Sequence, residues 1–442
     1  MSPQLYLTQS RRLRICAFTL FYVAQGIPIG LLAIAMPGWM AAADVGAADI
    51  ATFVAITGLP WGLKLIAGPF MDRFSFLPMG YRRPWIMAAQ AGLTLAMLTM
   101  TLVSDVTAQF SVLVAIGFAI NGFGALQDVA VDGMAIDILP EQERGRANAF
   151  MAFGQVAGFS VFGALNGWLL VAHGLPYAAL ISAGIVSLIF VLAAVVRERP
   201  GERLLPWTPG QPAVRVIPPA TSFAAIAKDV VRAVCLPMSL LLTAAQFVSQ
   251  MGAGITLTIA PVVAVQELSY TSEQYAFWIS LASAISAVVG IVFGAWVDRH
   301  GARKLLFLGF ASMTFVTAAF AMAQSMWTSD EFVLAVLLIS RIAGQMIFVA
   351  VIAGFMNLCW TKIAATQFAV YMSLANLATS VGAGLYGLIA AGLTYVDALY
   401  IVAGFNALAL LLVWIFDHDR HKARVEALNA ETAAAQRATR PV

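Results

Sequence analysis

The chain has 442 residues, 61% of them hydrophobic and only 11% charged, with a formal net charge of +3 and a mean hydropathy of +0.86. A soluble domain carries about a quarter charged residues, so an ordinary soluble fold is excluded. A transmembrane β-barrel would show ~10-residue alternating segments, and none occur here.

Stretches of ~20 apolar residues are long enough to span the hydrocarbon core. Twelve occur, at about 15–37, 50–71, 84–104, 108–136, 147–171, 176–196, 236–262, 274–296, 304–324, 332–360, 367–391 and 397–416. The expected fold is an all-α integral membrane protein with 12 transmembrane helices in two six-helix bundles. The first span has a basic start and a small-residue Ala33-Ile34-Ala35 site that imitates a signal peptide. It is expected to be retained, because its removal would spoil the repeat described below. Within it, Gln25 precedes Gly26-Ile27-Pro28, where Gly and Pro loosen a helix; exposed backbone is tolerated only when buried or lining a cavity.

The second span holds Lys64 and runs into "GPFMDRFSFLPMGYRR", Gly68 to Arg83. The fourth carries "ALQDVAVDG", which sets Asp128 and Asp132 one helical turn apart on one face. Ionisable residues inside spans are rare and usually face a bundle interior or a wet cavity. At ~1.5 Å per residue, Asp132 lies roughly 12 Å from Pro140 at the helix end. Lys64 lies at a matching depth, so it is expected to pair with Asp132 or Asp128. Burial and like charge both raise a carboxylate pKa. One acid paired and one near neutral would make a proton site; a packing-only ion pair, direct substrate contact or a bound sodium ion are the other readings.

The fifth span has glycines at 154, 158, 163 and 167, read as close helix packing. The longest break, Arg197 to Arg232, is rich in Pro, Arg and Glu and divides the spans six and six. The expected organisation is a bundle at 1–196, a cytoplasmic linker at 197–235, a second bundle at 236–416 and a charged tail at 417–442. After the eighth span comes "GAWVDRHGARK", Gly294 to Lys304. Both loops read Gly-x-x-x-Asp-Arg, then Gly and two bases, with Asp72 and Asp298 in equivalent places. Parallel repeats of this kind occur in transporters. In this reading the motif glycines allow close helix approach, the acids cap or pair, and the bases anchor the loop at the lipid surface. The motif residues are Gly68, Asp72, Arg73, Arg82 and Arg83 in the first copy, and Gly294, Asp298, Arg299, Gly301, Arg303 and Lys304 in the second.

In the second half, Arg341 of the tenth span has no acid within its own bundle. Its planar fork suits a carboxylate or phosphate, which makes it the candidate anion receptor; a guanidinium bonded to backbone carbonyls is the plainer alternative. Amides stud other spans. Singly they are most often interhelical glue, but Gln25, Asn121, Gln127, Gln155, Gln246, Gln250 and Gln345 together suggest a polar cavity. Gln246 and Gln250 occupy the place in the seventh span that Gln25 holds in the first. "GAGLYG" at 382–387 matches a nucleotide fingerprint, but it lies in a span with no preceding strand and is a chance match.

Of the 25 Lys and Arg, 23 fall on one set of loops and the termini, and the remaining two are Lys64 and Arg341. Cytoplasmic loops carry the Lys and Arg excess, so both termini are expected in the cytoplasm. The three cysteines, Cys16, Cys235 and Cys359, have no metal spacing and read as membrane-buried thiols. The four histidines fall in loops or the tail. Metalloprotease, nucleophile-elbow, redox and phosphate-loop motifs do not occur, so neither an enzyme nor an ATP-driven pump is expected. No cofactor, no metal and no nucleic-acid partner is expected.

The doubled loop resembles the signature of the major facilitator superfamily; the second copy matches Gly-x-x-x-Asp-Arg-x-Gly-x-Arg-Lys in full, and the first is stretched by "SFLPM". "YVAQGIPIGL", "LPWGLKLIAGPFMDR", "YRRPWIMAAQ" and "QDVAVDGMAIDILPEQERG" are more narrowly similar to the AmpG and acetyl-CoA transporter family. The resemblance implies two bundles rocking about a central cavity. It implies proton-coupled uptake of a polar or anionic metabolite such as a cell-wall muropeptide, with acetyl-CoA or a siderophore as the alternative. A sensor with the transporter fold, binding without transport, is the third reading. A monomer in the bacterial inner membrane is expected, exchanging a small solute and protons across the bilayer.

Overall fold

In the computed structural model, residues 5–74, 76–211, 223–360, 363–417, 420–421 and 423–428 are described. They are helical apart from loops and one isolated bridge, Tyr6 to Arg197. The first bundle is α1 (Arg11–Ile29), α2 (Met36–Ala42), α3 (Ala47–Leu63), α4 (Ala67–Arg73), α5 (Arg83–Met100), α6 (Phe110–Ile138), α7 (Glu141–Ala172) and α8 (Leu175–Val195). After α9 (Phe223–Val234), the second is α10 (Pro237–Val262), α11 (Ser272–His300), α12 (Ala302–Met322), α13 (Asp330–Leu358), α14 (Ala364–Ile389) and α15 (Tyr395–Ile415).

Among the described residues, 11 helices are long and apolar enough to cross a membrane. The expected span at 84–104 is the one that falls short. It is present as α5, an 18-residue helix packed against α6 and α8. Arg83 and Gln90 dilute its hydropathy, and both are buried among helices.

Three spans are not uniform α-helices. In the first, Pro28 is followed by a π-helical stretch at Gly30–Ala35 that runs into α2. In the seventh, Pro261 is followed by a π-helical stretch at Val263–Glu267. A π-turn absorbs the lost Pro hydrogen bond without breaking the helix, so the Gly26-Ile27-Pro28 site widens the first span and does not interrupt it. In the second span, Pro60 precedes a 3₁₀ turn at Lys64–Ile66 between α3 and α4.

The closest helix contacts run through glycine. A Cβ on Gly26 would lie 2.5 Å from Gln155 O, and one on Gly158 would lie 2.6 Å from Val23 O. These fasten α1 to α7. In the second bundle, a Cβ on Gly254 would lie 2.0 Å from Thr379 O, and one on Gly382 would lie 2.0 Å from Met251 O, fastening α10 to α14. Gly384, two residues along α14, instead faces Ala55 of the first bundle. The loop-motif glycines correct the sequence reading. A Cβ on Gly68 would meet only Val129 at 3.8 Å, and Gly294 has nothing within 4 Å, so neither is a site of close approach. Gly301 is required for another reason. Its φ of +82° turns the chain between α11 and α12, a conformation Gly adopts without strain.

Segment 197–211 is a folded cap on the first bundle. The buried Glu198 carboxylate accepts from the backbone N–H groups of Tyr81 (3.0 Å), Arg82 (2.7 Å) and Arg83 (2.6 Å). Arg83 is buried and donates to the carbonyls of Ala193, Ala194, Arg203 and Leu204. It therefore pins the cap and does not reach lipid, because a buried guanidinium needs every donor occupied. Arg14 closes the same face, bonded to the Leu7 and Thr8 carbonyls and paired with Glu143 at 2.8 Å.

Glu202 lies in this cap, its Oε2 accepting from the Arg199 backbone N–H at 3.0 Å and its Oε1 unpartnered, 3.9 Å from Arg199 Nη1. Burial first, and the Glu198 charge second, push its carboxyl up to about 7. The folded state therefore holds the proton more tightly than the unfolded chain, where the value is about 4.3. The protonated form costs nothing below that value; stability is lost as pH rises from there through about 7 and is level above it. Glu202→Gln is expected to melt above wild type at pH 8, with the difference vanishing by pH 4. A difference independent of pH would overturn this assignment.

The start of the charged tail is packed. His421 is buried, with Nε2 2.9 Å from Leu358 O, so this stretch docks on the second bundle. Cys16 and Cys235 are exposed on the protein surface and Cys359 is half-buried.

Candidate functional site

The two bundles meet closely where α7 faces α11. There, a Cβ on Gly167 of α7 would lie 2.4 Å from Ala276 Cβ of α11, and one on Gly163 would lie 2.6 Å from Ser280 Oγ. Gln266 donates to Ala41 O at 3.2 Å and accepts from the Tyr395 hydroxyl. Nearer the termini, α3 and α14 meet through Gly58 on Ser380 and Gly62 on Leu377, with Asn376 donating to Trp61 O at 3.4 Å. Just beyond this level lie Lys64 and Asp132.

The 3₁₀ turn presents Lys64 to α6. Its Nζ lies 2.7 Å from Asp128 Oδ2 and 5.6 Å from the Trp61 ring, a cation–π distance. Gln25 of α1 donates to Asp128 Oδ1 at 2.5 Å, and Gln155 of α7 donates to Gln25 Oε1 at 3.0 Å. Four spans thus converge on Asp128, which is itself buried. Asp132, one turn along α6, accepts from the Tyr22 hydroxyl and is exposed. Of the two acids allowed by sequence, Asp128 is the one that holds Lys64.

The other amides divide by geometry. Asn121 gives its Nδ2 to Thr57 O at 2.7 Å, and Gln127 gives its Nε2 to Phe21 O at 2.7 Å. Both are buried. Their donors are spent tying α6 to α3 and α1, which corrects their expected place on a cavity wall. In the second bundle, Gln250 donates to Thr379 Oγ1 at 3.4 Å, repeating across α10 and α14 the Gln25–Gln155 contact of α1 and α7. Gln246 is buried with Oε1 unpartnered. Gln345 packs over Gly290, where a Cβ would lie 2.5 Å from its Nε2. Arg341, one turn before Gln345 on α13, is half-buried. It makes no hydrogen bond or ion pair with any described residue. Arg341 and Gln345 are thus neighbours on α13, one turn apart, whereas Asp128 and Lys64 belong to the other bundle.

Among the loop-motif residues, Arg82 pairs with Asp137 of α6 at 3.2 Å, and Arg303 donates to Trp414 O at 2.5 Å. Arg299 and Lys304 are exposed. The side chains of Asp72, Arg73 and Asp298 lie outside the described residues. No group of three or more metal-ligating side chains occurs among the described residues.

Tyr22, Glu198 and His421 were not singled out from sequence. The signal for Tyr22 was available: it stands three residues before Gln25, on the same face of an apolar span. Glu198 gives no such signal, because its partners are backbone N–H groups more than 110 residues away.

These features define a polytopic carrier with two helical bundles and a polar centre. The Major Facilitator Superfamily model matches residues 16–245 and 242–441, and the chain belongs to that superfamily. It is a membrane transporter and not an enzyme. It is 30% identical over 169 residues to the anhydromuropeptide permease of Escherichia coli, covering 38% of this chain and 34% of that protein. It is 31% identical over 150 residues to an uncharacterized Haemophilus influenzae protein, of which it covers 33%. The match therefore spans about a third of the length of these two relatives. A Rickettsia conorii protein named "Putative transporter AmpG 4" matches more broadly, at 24% identity over 366 residues, 80% of this chain and 84% of that one. The crystal structure of nucleoside transporter NupG (D323A mutant) superposes with a TM-score of 0.66 at 11% identity, covering 91% of this chain and 98% of that chain. At that identity the likeness speaks for the fold alone.

Proposed function

We propose that the chain is a proton-coupled importer of a polar, anionic metabolite, with a cell-wall muropeptide as the first choice of substrate. The observation that carries this reading is the pairing in one carrier of a proton-capable acid cluster, Asp128 and Asp132 with Lys64, and a separate unpaired cation, Arg341. The two lie in different bundles: in this reading one bundle senses the proton and the other holds the anion. The permease name of the Escherichia coli relative supports the substrate class. Acetyl-CoA or a siderophore is the alternative, since each also presents anionic or chelating oxygens that a guanidinium fork can grip.

In this reading α5 completes twelve spans, and an even number returns both termini to one side. The excess of Lys and Arg on its loops supports a cytoplasmic position for that side. The membrane is the bacterial inner membrane and the working unit a monomer. The close α7–α11 contact then corresponds to an inward-facing state. A muropeptide entering from the cytoplasmic mouth would reach Asp132 and Lys64 first, with Arg341 and Gln345 on the opposite wall.

Arg341→Gln in proteoliposomes is expected to raise the KM for radiolabelled anhydromuropeptide at least tenfold while leaving the melting temperature unchanged. Arg341 has no protein partner among the described residues to orphan, so the cost should fall on the ligand alone. An unchanged KM would overturn the anion site. Saturable binding without uptake by the wild type would favour the sensor reading.

A further inference from the structure

We infer that Asp132 alone carries the coupled proton, that Tyr22 positions it, and that Asp128 stays ionised throughout as the fixed partner of Lys64. This rests on the proton-coupled reading above and assigns roles within it.

The two acids differ in what surrounds them. Both oxygens of Asp128 are occupied, Oδ2 by the Lys64 ammonium at 2.7 Å and Oδ1 by the Gln25 amide at 2.5 Å. Asp128 is 6% exposed. A proton on it would displace one donor and strand a partly buried ammonium, and breaking such a pair is strongly unfavourable. Asp132 has no cation at bridging distance among the described residues. Its one described hydrogen bond comes from a neutral hydroxyl, that of Tyr22 on α1. It is exposed, so water can deliver a proton to it.

The charges facing Asp132 complete the argument. Lys64 comes from the turn between α3 and α4, and Asp128 lies on its own helix. From the head of α5, Arg82 crosses Gly133, where a Cβ would meet its Nε at 2.8 Å, to reach Asp137. Tyr22 is the titratable group presented by α1. Lys64 with Asp128, and Arg82 with Asp137, are two neutral pairs. Among the described residues, Asp132 is left as the carboxylate without a cation at bridging distance, so its protonation removes that unpaired negative charge. The step is a single O–H bond made on the Asp132 carboxylate with a proton from cavity water and broken on release; nothing else changes hands. The Tyr22 hydroxyl donates to the ionised carboxylate and so favours that form. Loss of that bond moves the pH at which the proton is taken up.

The test uses the full-length protein in lipid, in a Glu202→Gln background that removes the displaced carboxyl of the cap. Infrared pH-difference spectra report protonated carboxyl groups without needing a substrate. The expected result is a titrating carboxyl band that disappears in Asp132→Asn, persists in the double variant Lys64→Met with Asp128→Asn, and shifts to higher pH in Tyr22→Phe. A band that survives Asp132→Asn, or is lost in the double variant, overturns the assignment. So does an unshifted band in Tyr22→Phe, as far as the role of Tyr22 goes. In parallel, radiolabelled anhydromuropeptide counterflow without a gradient is compared with accumulation driven by an imposed pH gradient. Asp132→Asn should lose accumulation relative to its own counterflow rate, whereas the double variant, whatever its absolute rate, should keep the wild-type ratio of accumulation to counterflow. Should Asp132→Asn fail to catalyse counterflow, Asp132→Glu must restore counterflow and accumulation together, and its failure to do so also counts against the proposal. Wild-type accumulation indifferent to the gradient would defeat the proton-coupled reading itself, whichever acid titrates in the infrared.

Discussion

Gly382→Ala is expected to lower the melting temperature in detergent sharply and to cut the yield of folded protein, whereas Gly404→Ala should raise it slightly. Both glycines sit within membrane helices, and their intrinsic propensities are the same. A Cβ at Gly382 would lie 2.0 Å from Met251 O and 2.5 Å from Met251 Cα, while one at Gly404 meets nothing within 4 Å. The clashing atoms belong to backbone, so no side chain can swing aside. Relief requires α10 and α14 to separate, and overpacking of this kind costs about 1–3 kcal/mol or more. At the open site, Ala gains the ~1 kcal/mol by which it exceeds Gly in a helix interior. Gly254→Ala, with Thr379 O at 2.0 Å, should behave like Gly382→Ala. Equal melting temperatures for Gly382→Ala and Gly404→Ala would mean that the α10–α14 contact is looser than described.

Lys64→Met is expected to be the most damaging single change at the site, and Asp128→Asn added to it should restore much of the loss in stability. Lys64 Nζ and Asp128 Oδ2 are 2.7 Å apart and both are largely buried. Removing one partner leaves the other charge buried and uncompensated, which costs about 3–5 kcal/mol. Removing both leaves no buried charge, so the double variant should sit closer to wild type than Lys64→Met does. Melting temperatures of the two singles and the double form a cycle that isolates the pair. Additive effects would show that the pair contributes little and that the damage is steric. The cycle also bears on transport, since Gln25, Gln155 and Lys64 bring three other spans to Asp128.

Much of this was legible along the chain. Apolar runs of span length give the membrane class directly, because lipid demands that each crossing segment satisfy its own backbone. The doubled loop and the long break after the sixth span divide the chain in two. Lys64 falls at the level of the acids in sequence too, because the rise per residue from each helix end is fixed. A fixed rise does not choose between Asp128 and Asp132. That choice depends on the rotation of α6 against α1 and on the 3₁₀ turn that aims Lys64, and both are set by packing. The loop motif misled in a related way. Its spacing shows that two loops are equivalent, but not what they touch. Arg83 looked like a lipid anchor and is instead the buried pin of the 197–211 cap, while Gly68 and Gly294 turn out to have room for a side chain. The amides show the same limit. Gln25 and Gln127 read alike in sequence, yet one reaches an acid and the other a backbone carbonyl.

The sequence by itself determined that this chain lies in a membrane, that it is built as two related halves, and that it carries a cation and two acids in the interior of the first half and a lone cation in the second. Those are consequences of hydropathy, repetition and rarity, each of which is a property of residues in order. Only the tertiary structure decided that Asp128 is the clamped acid and Asp132 the accessible one, that glycine contacts fasten α1 to α7 and α10 to α14, and that Glu198 holds the cap. The reason is that partners separated by tens to more than a hundred residues meet through helix rotation and crossing. Those are set by the sum of many packing contacts, and no local spacing encodes them.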